Sequence, residues 1–166
     1  MSVCKLCGQA NKFIKAHSIP EAFFRQIRDG SGTPLLVSSS ASTIPRRANI
    51  GVYDQEMLCE VCEPKFGLLD SYASEVLITK FDEHFDQVRS PNGLEGYQSA
   101  SVNGRRLLQF LVSVLWRGEM SSQPFYRNID LGAHEPAARQ ALYCHSASVA
   151  PVFDAVLSRW MSKDTT

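Results

Sequence analysis

Two Cys-x-x-Cys pairs constrain this chain more than any other feature: "CKLC" at residues 4–7 and "CEVC" at residues 59–62. Thiolates two residues apart in a tight turn can grip one side of a metal ion. Zinc takes four tetrahedral ligands in its structural sites, so two such pairs supply a complete set. One pair can arise by chance; two in a chain of 166 residues point to a single closed site made by Cys4, Cys7, Cys59 and Cys62. The N-terminal "MSVCKLC" has no basic segment followed by an apolar one, so no secretory signal is expected there. Cytoplasmic localisation is the expectation, and there thiols stay reduced and bind metal instead of forming disulfides.

The stretch between the pairs, residues 8–58, is too long for a minimal zinc ribbon. It suits a treble clef, with one pair on an N-terminal knuckle and the other on the first turn of a helix. Gly8 gives the first knuckle its backbone freedom. "CEPKFGLLDSYASEVLITKFDEHF" reads as one helix: Pro64 fits its first turn, and Phe66, Leu69, Tyr72, Ala73, Val76 and Leu77 recur at helical spacing. The fifth cysteine, Cys144, stands next to His145 and is expected to be a buried thiol outside the metal set.

The rest of the chain reads as mixed structure. "KFIKAHSI" suits a short strand or hairpin arm, and "SIPEAFFRQIRDG" a short helix opened by Pro20 and closed by Gly30, with Ala22, Phe23 and Ile27 on its apolar side. "TPLLVSSS" and "ANIGVYD" suit strands. "SPNGLEG", residues 90–96, is a turn cluster and the expected boundary between residues 1–90 and 91–166. Beyond it, "GRRLLQFLVSVLWRGEM" reads as a buried helix, apolar nearly all round from Leu107 to Trp116. "HEPAARQALYCH" and "SVAPVFDAVLSRWMSK" read as two more. The expected fold class is α+β: a treble-clef zinc module, ββα-metal-like, followed by a small helical bundle packed on it. No apolar run approaches the ~18 residues of a membrane helix, so no membrane partner is expected.

Net charge is zero but unevenly spread. Residues 1–50 carry seven Lys or Arg against two acids, and residues 51–100 carry three against ten. The basic first third, through Lys12, Lys15, Arg25, Arg28, Arg46 and Arg47, is suited to phosphates, and DNA or RNA is the partner this implies. The acidic middle is suited to a hard divalent cation. Both can equally be solvated faces.

His17, in "KAHSIP", stands ten residues after Cys7. A histidine followed by a hydrophobic residue and Pro, ahead of "LC-x-x-C", resembles the HNH endonuclease motif across roughly residues 3–78. That resemblance implies His17 as general base. It sets Asp54, before Cys59, where the family often has an asparagine, and Glu63, after Cys62, where it has a metal-binding histidine or asparagine. Ala16 departs from the pattern, since a metal ligand is usual there. The combination of "C-x-x-C", "HSIP", "G-x-Y-D-x-x-x-L-C-x-x-C-E" and "SVLWR" is also similar to a group of uncharacterised bacterial proteins.

Chemistry frames the two functions that follow. Phosphodiester hydrolysis needs a cation on the phosphate and a base for water. Asp54 and Glu63 offer oxygens suited to Mg²⁺ or Mn²⁺, and His17 titrates near neutrality. Asp70 shares a helix face with Glu63 and can support it. The first reading is a metal-dependent nuclease with His17, Asp54 and Glu63 catalytic. The second is a non-catalytic zinc module that binds nucleic acid or a protein partner, and Ala16 is the residue that favours it.

Overall fold

The structure, a computed structural model, describes residues 2–25, 35–37, 44, 46–47, 51–144 and 152–159. The chain opens with a tight turn over Cys4–Cys7. The Gly8 amide donates to the Cys4 carbonyl at 2.8 Å, and Gly8 takes φ +73°, a conformation that glycine adopts at no steric cost. Residues 12–14 then run antiparallel to residues 58–60. Ile14 N–H donates to Leu58 O, Glu60 N–H donates to Lys12 O, and Phe13 bridges Cys59.

The elements that follow are short: β1 (Ala16–His17), α1 (Glu21–Arg25), β2 (Leu35–Leu36), β3 (Arg46–Arg47) and β4 (Tyr53–Asp54). β1 pairs antiparallel with β4, and β2 with β3. The expected helix over residues 18–30 is described only as α1; Ile27 and Gly30 lie outside the described residues. Helix α2 (Glu63–Ser74) begins directly after Cys62, with Pro64 in its first turn. The long helix expected after it is instead three pieces. A π-helical turn continues from Glu75 to Thr79, Lys80 breaks the helical dihedrals, and α3 (Phe81–His84) is a single turn.

The turn cluster at residues 90–96 is the tip of a hairpin, β5 (Asp86–Ser90) with β6 (Gly93–Gln98). Helix α4 (Gly104–Met120) is capped by Asn103, whose side chain accepts from the Arg106 amide at 3.0 Å. Its face is less uniformly apolar in effect than its sequence, because Leu115 is exposed. Helix α5 (Glu135–Cys144) follows a 3₁₀ turn. Of the last expected helix, the described residues 152–159 are non-helical, and the remainder lies outside the described residues. Cys144, the last residue of α5, is exposed, not buried.

One apolar core serves both parts of the chain. It joins Leu6, Met57, Leu58, Phe66 and Ala73 to Phe110, Val112, Trp116, Ala138 and Leu142. Phe66 stacks on Trp116 at 6.0 Å and Phe23 on Phe110 at 5.5 Å. Side chains of this size each contribute roughly 1.5–3 kcal/mol when fully buried. The stacked pairs therefore clamp α1 and α2 against α4 and fix the first turn of α2 in space. Among the described residues, no helix is long and apolar enough to cross a membrane.

Candidate metal centre and the buried arginine behind it

The two turns bring four sulfurs together. The Sγ atoms of Cys4, Cys7, Cys59 and Cys62 all lie within 4.8 Å of one another and can hold a metal ion. A tetrahedral ion with metal–sulfur bonds of about 2.3 Å sets its sulfurs about 3.8 Å apart. Cys7 Sγ and Cys59 Sγ are 3.9 Å apart. Backbone hydrogen bonds hold this geometry from both sides. Lys5 N–H donates to Met57 O at 3.0 Å, locking the first turn to the second, and the amides of Cys62 and Glu63 both donate to Cys59 O at 3.0 Å. Asn11 Nδ2 reaches the Cys59 sulfur at 3.8 Å, a donor suited to a thiolate.

Burial acts to raise the Cys59 thiol, but the Val61 and Cys62 amides and the neighbouring thiols outweigh it and bring it down to about 7. Burial and the surrounding sulfurs push Cys62 far up. A divalent cation held by the four sulfurs would favour their thiolate forms. The residues present fit such an ion.

The three residues set aside for hydrolysis are not brought together in the same way. Among the described residues, the four cysteines are the only set of three or more His, Cys, Asp or Glu side chains whose ligand atoms converge. The register explains why. Ala16 pairs with Asp54 and His17 with Tyr53, so His17 and Asp54 point to opposite faces of the β1–β4 ribbon. His17, half-buried, meets the Tyr53 ring edge-on at 5.9 Å on the opposite face. Asp54 points inward and is buried. Its carboxylate accepts from Glu56 N (2.7 Å), Ser122 N (2.7 Å), Ser122 Oγ (2.8 Å) and Ser121 Oγ (3.2 Å). It thereby ties β4 to the C-terminal end of α4.

Burial acts to raise the Asp54 pKa, but those donors win and hold it below the usual carboxylate range. The folded value lies below the unfolded one, so this stabilisation is complete above about pH 4 and is lost as pH falls through the folded value. Asp54→Asn should cost about 1.5–3 kcal/mol at neutral pH, the range for hydrogen bonds to a charged group. Urea unfolding at about pH 7 and about pH 3 checks the sign: the gap between wild type and variant should shrink in acid. An equal gap at both values would show that the charge contributes nothing.

Glu63 is half-buried at the start of α2. Burial, and then the Asp70 carboxylate, hold it above the usual range, with Arg117 pulling the other way. Arg117 is the centre of this region and is 2% exposed. Nη1 and Nη2 donate to Asp70 at 2.9 and 2.7 Å; Nη1 also donates to His17 O at 2.9 Å, and Nε to Ser113 O at 3.2 Å. The guanidinium lies over the Phe66 ring at 5.1 Å, and Ser18 Oγ donates to Arg117 O at 3.1 Å. An arginine closing an apolar helix is expected to pair with an acid, but its place in the sequence does not by itself show this role. The signal was present in the co-occurrence of "HSIP" and "SVLWR", whose residues His17, Ser18, Ser113 and Arg117 meet here. Trp116 Nε1 donates to Glu135 Oε1 at 2.9 Å, anchoring α5 to the same helix.

The basic residues lie mostly on the surface. Lys12, Lys15, Arg25 and Arg47 are exposed. Lys15 sits over the Tyr53 ring at 4.9 Å, and Arg25 pairs with Glu21 at 3.3 Å. Arg46 belongs to β3, and Arg28 lies outside the described residues. No family model, curated protein or solved structure matches the chain, so what can be said of its chemistry rests on this geometry.

Proposed function

We propose that the chain is a treble-clef zinc module that acts by binding nucleic acid and not by cutting it. The single observation that carries the choice is Asp54. Its carboxylate is spent on four donors inside the fold, with Ala16 across from it, and neither residue offers an oxygen to a hydrolytic cation. Zinc is the ion assigned to the four sulfurs, since a closed tetrahedral thiolate set is its structural preference. Such a site has no open position and serves the fold. Exposed Lys12, Lys15 and Arg47, with Arg46 beside them in sequence, supply the phosphate contacts.

Fluorescence anisotropy with labelled DNA and RNA tests this. Affinity should fall steeply with salt, by about 0.7–0.9 decades per decade of salt for each phosphate neutralised. Replacing both Arg46 and Arg47 by Glu should weaken binding at low salt and flatten that slope. Binding that ignores salt, or none at low salt, replaces nucleic acid with a protein partner.

One observation bears on the nuclease reading: Arg117 donates to the His17 backbone carbonyl and its charge acts on Glu63, so one guanidinium neighbours both residues. Incubation with Mg²⁺ or Mn²⁺ and DNA or RNA decides between them. No cleavage is expected. Cleavage that disappears in His17→Ala, with zinc content unchanged, would restore the catalytic role of His17 and Glu63.

A further inference from the structure

The four sulfurs differ in access. Cys4, Cys59 and Cys62 are at most 1% exposed, whereas Cys7 is only half-buried. Cys7 borders a surface groove of about 440 Å³ lined also by Leu6, Pro136, Arg139 and Tyr143. Arg139 Nε donates to the Leu6 carbonyl at 2.9 Å, which fixes its guanidinium against the first turn. A small polar oxidant can thus reach one sulfur of the set from solvent, beside a cation, while the other three are sealed. The Cys59 sulfur waits 3.9 Å behind it.

We propose that Cys7 is the modification site of this centre: hydrogen peroxide oxidises Cys7, a disulfide to Cys59 follows, and the ion is released. The inference rests on the zinc reading above. Oxidation of cysteine follows thiolate character and exposure, and a metal-bound sulfur keeps the first while only Cys7 has the second. The Cys7 thiolate attacks the peroxide, its S–O bond forms as the O–O bond breaks, and hydroxide leaves. The Cys59 thiolate then attacks the Cys7 sulfur; the S–S bond forms, the S–O bond breaks, and a second hydroxide leaves. The two thiolates have given two electrons to one peroxide. The ion, left with two of its four ligands, departs.

The sequence makes the test direct. Trypsin cuts after Lys5 and separates Cys4 from Cys7, and a Glu-specific protease cuts after Glu60 and separates Cys59 from Cys62. Cys144→Ser removes the exposed thiol that lies outside the set. Zinc content of that variant is measured first, then hydrogen peroxide is titrated in with a chromophoric zinc chelator present, and disulfides are mapped by mass spectrometry at the onset of release. The expected result is one ion freed per disulfide, with residues 6–12 linked to Cys59, and recovery of zinc binding after reduction. A first disulfide that joins Cys4 to Cys62, or zinc retained when free cysteine is fully oxidised, overturns the inference and leaves the zinc reading standing. Protein that contains no zinc at the outset overturns both.

Discussion

Cys59→Ser is expected to lose its metal and its fold together. Metal analysis of the wild type should find about one zinc per chain, since four thiolates close one tetrahedral site. Structural zinc sites bind with about 10–16 kcal/mol, while a whole domain is stable by only about 5–15 kcal/mol. The consequences reach beyond the ion. Cys59 anchors the backbone bonds that start α2, and α2 carries Phe66 to Trp116 and Asp70 to Arg117. Circular dichroism and soluble yield should both collapse in this variant, and chelation of the wild type should do the same. Cys144→Ser, at an exposed position, should stay within about 0.5 kcal/mol of wild type. A Cys59→Ser protein that melts at the wild-type temperature would remove the metal from the account of stability.

Asp70→Ala should be nearly as damaging for a different reason. It leaves a guanidinium that is 2% exposed without its bidentate partner. Removing one member of a buried ion pair costs about 3–5 kcal/mol, because the other charge stays behind in a poor solvent for it. For a domain of this length that is a fall in Tm of roughly 6–20 °C. Arg117→Met with Asp70→Leu should recover much of the loss, since a packed apolar pair carries no stranded charge. The Lys80–Glu75 pair is the control. Its nitrogen and oxygen are equally close, at 2.7 Å, but both side chains stand about half exposed, so Lys80→Ala should leave Tm unchanged. Equal effects from Asp70→Ala and Lys80→Ala would sink this argument.

The parts of this structure legible in the sequence are those where one residue type has one use. Two Cys-x-x-Cys pairs have few solutions in a short chain, and the four sulfurs do converge. The apolar period over residues 104–120 has one solution, and α4 spans it. Asp54 was harder to read because a carboxylate serves equally as a metal ligand or as an acceptor for amides and hydroxyls. The choice was made by Ser121 and Ser122, which only the fold brings near it. The face on which Asp54 lies depends on the register of β1 with β4, and a shift of one residue would have put it beside His17. The single long helix expected after Cys62 is interrupted at Lys80, where dihedrals at φ −128° and ψ 31° end the run just past the β-branched Val76, Ile78 and Thr79. Arg117 was legible only as a residue that pairs with an acid; the carbonyls of His17 and Ser113 that also accept from it are brought near only by the fold.

The bond from Arg117 to the His17 carbonyl joins residues 100 positions apart, and this orders events on the ribosome. Cys62, the fourth sulfur, is made well before Arg117. At about 5–20 residues per second, roughly 3–11 s separate the two. During that interval a nascent chain can already close its thiolate cage, while Phe66 has no Trp116 to cover it and Asp70 has no guanidinium. On the zinc reading, closure of the cage and the synthesis of α4 are therefore successive checkpoints. A cell short of the ion would lose the chain at the first, and a ribosome stalled between them would display a metal-knotted stub with an uncovered apolar face, the kind of surface that chaperones bind.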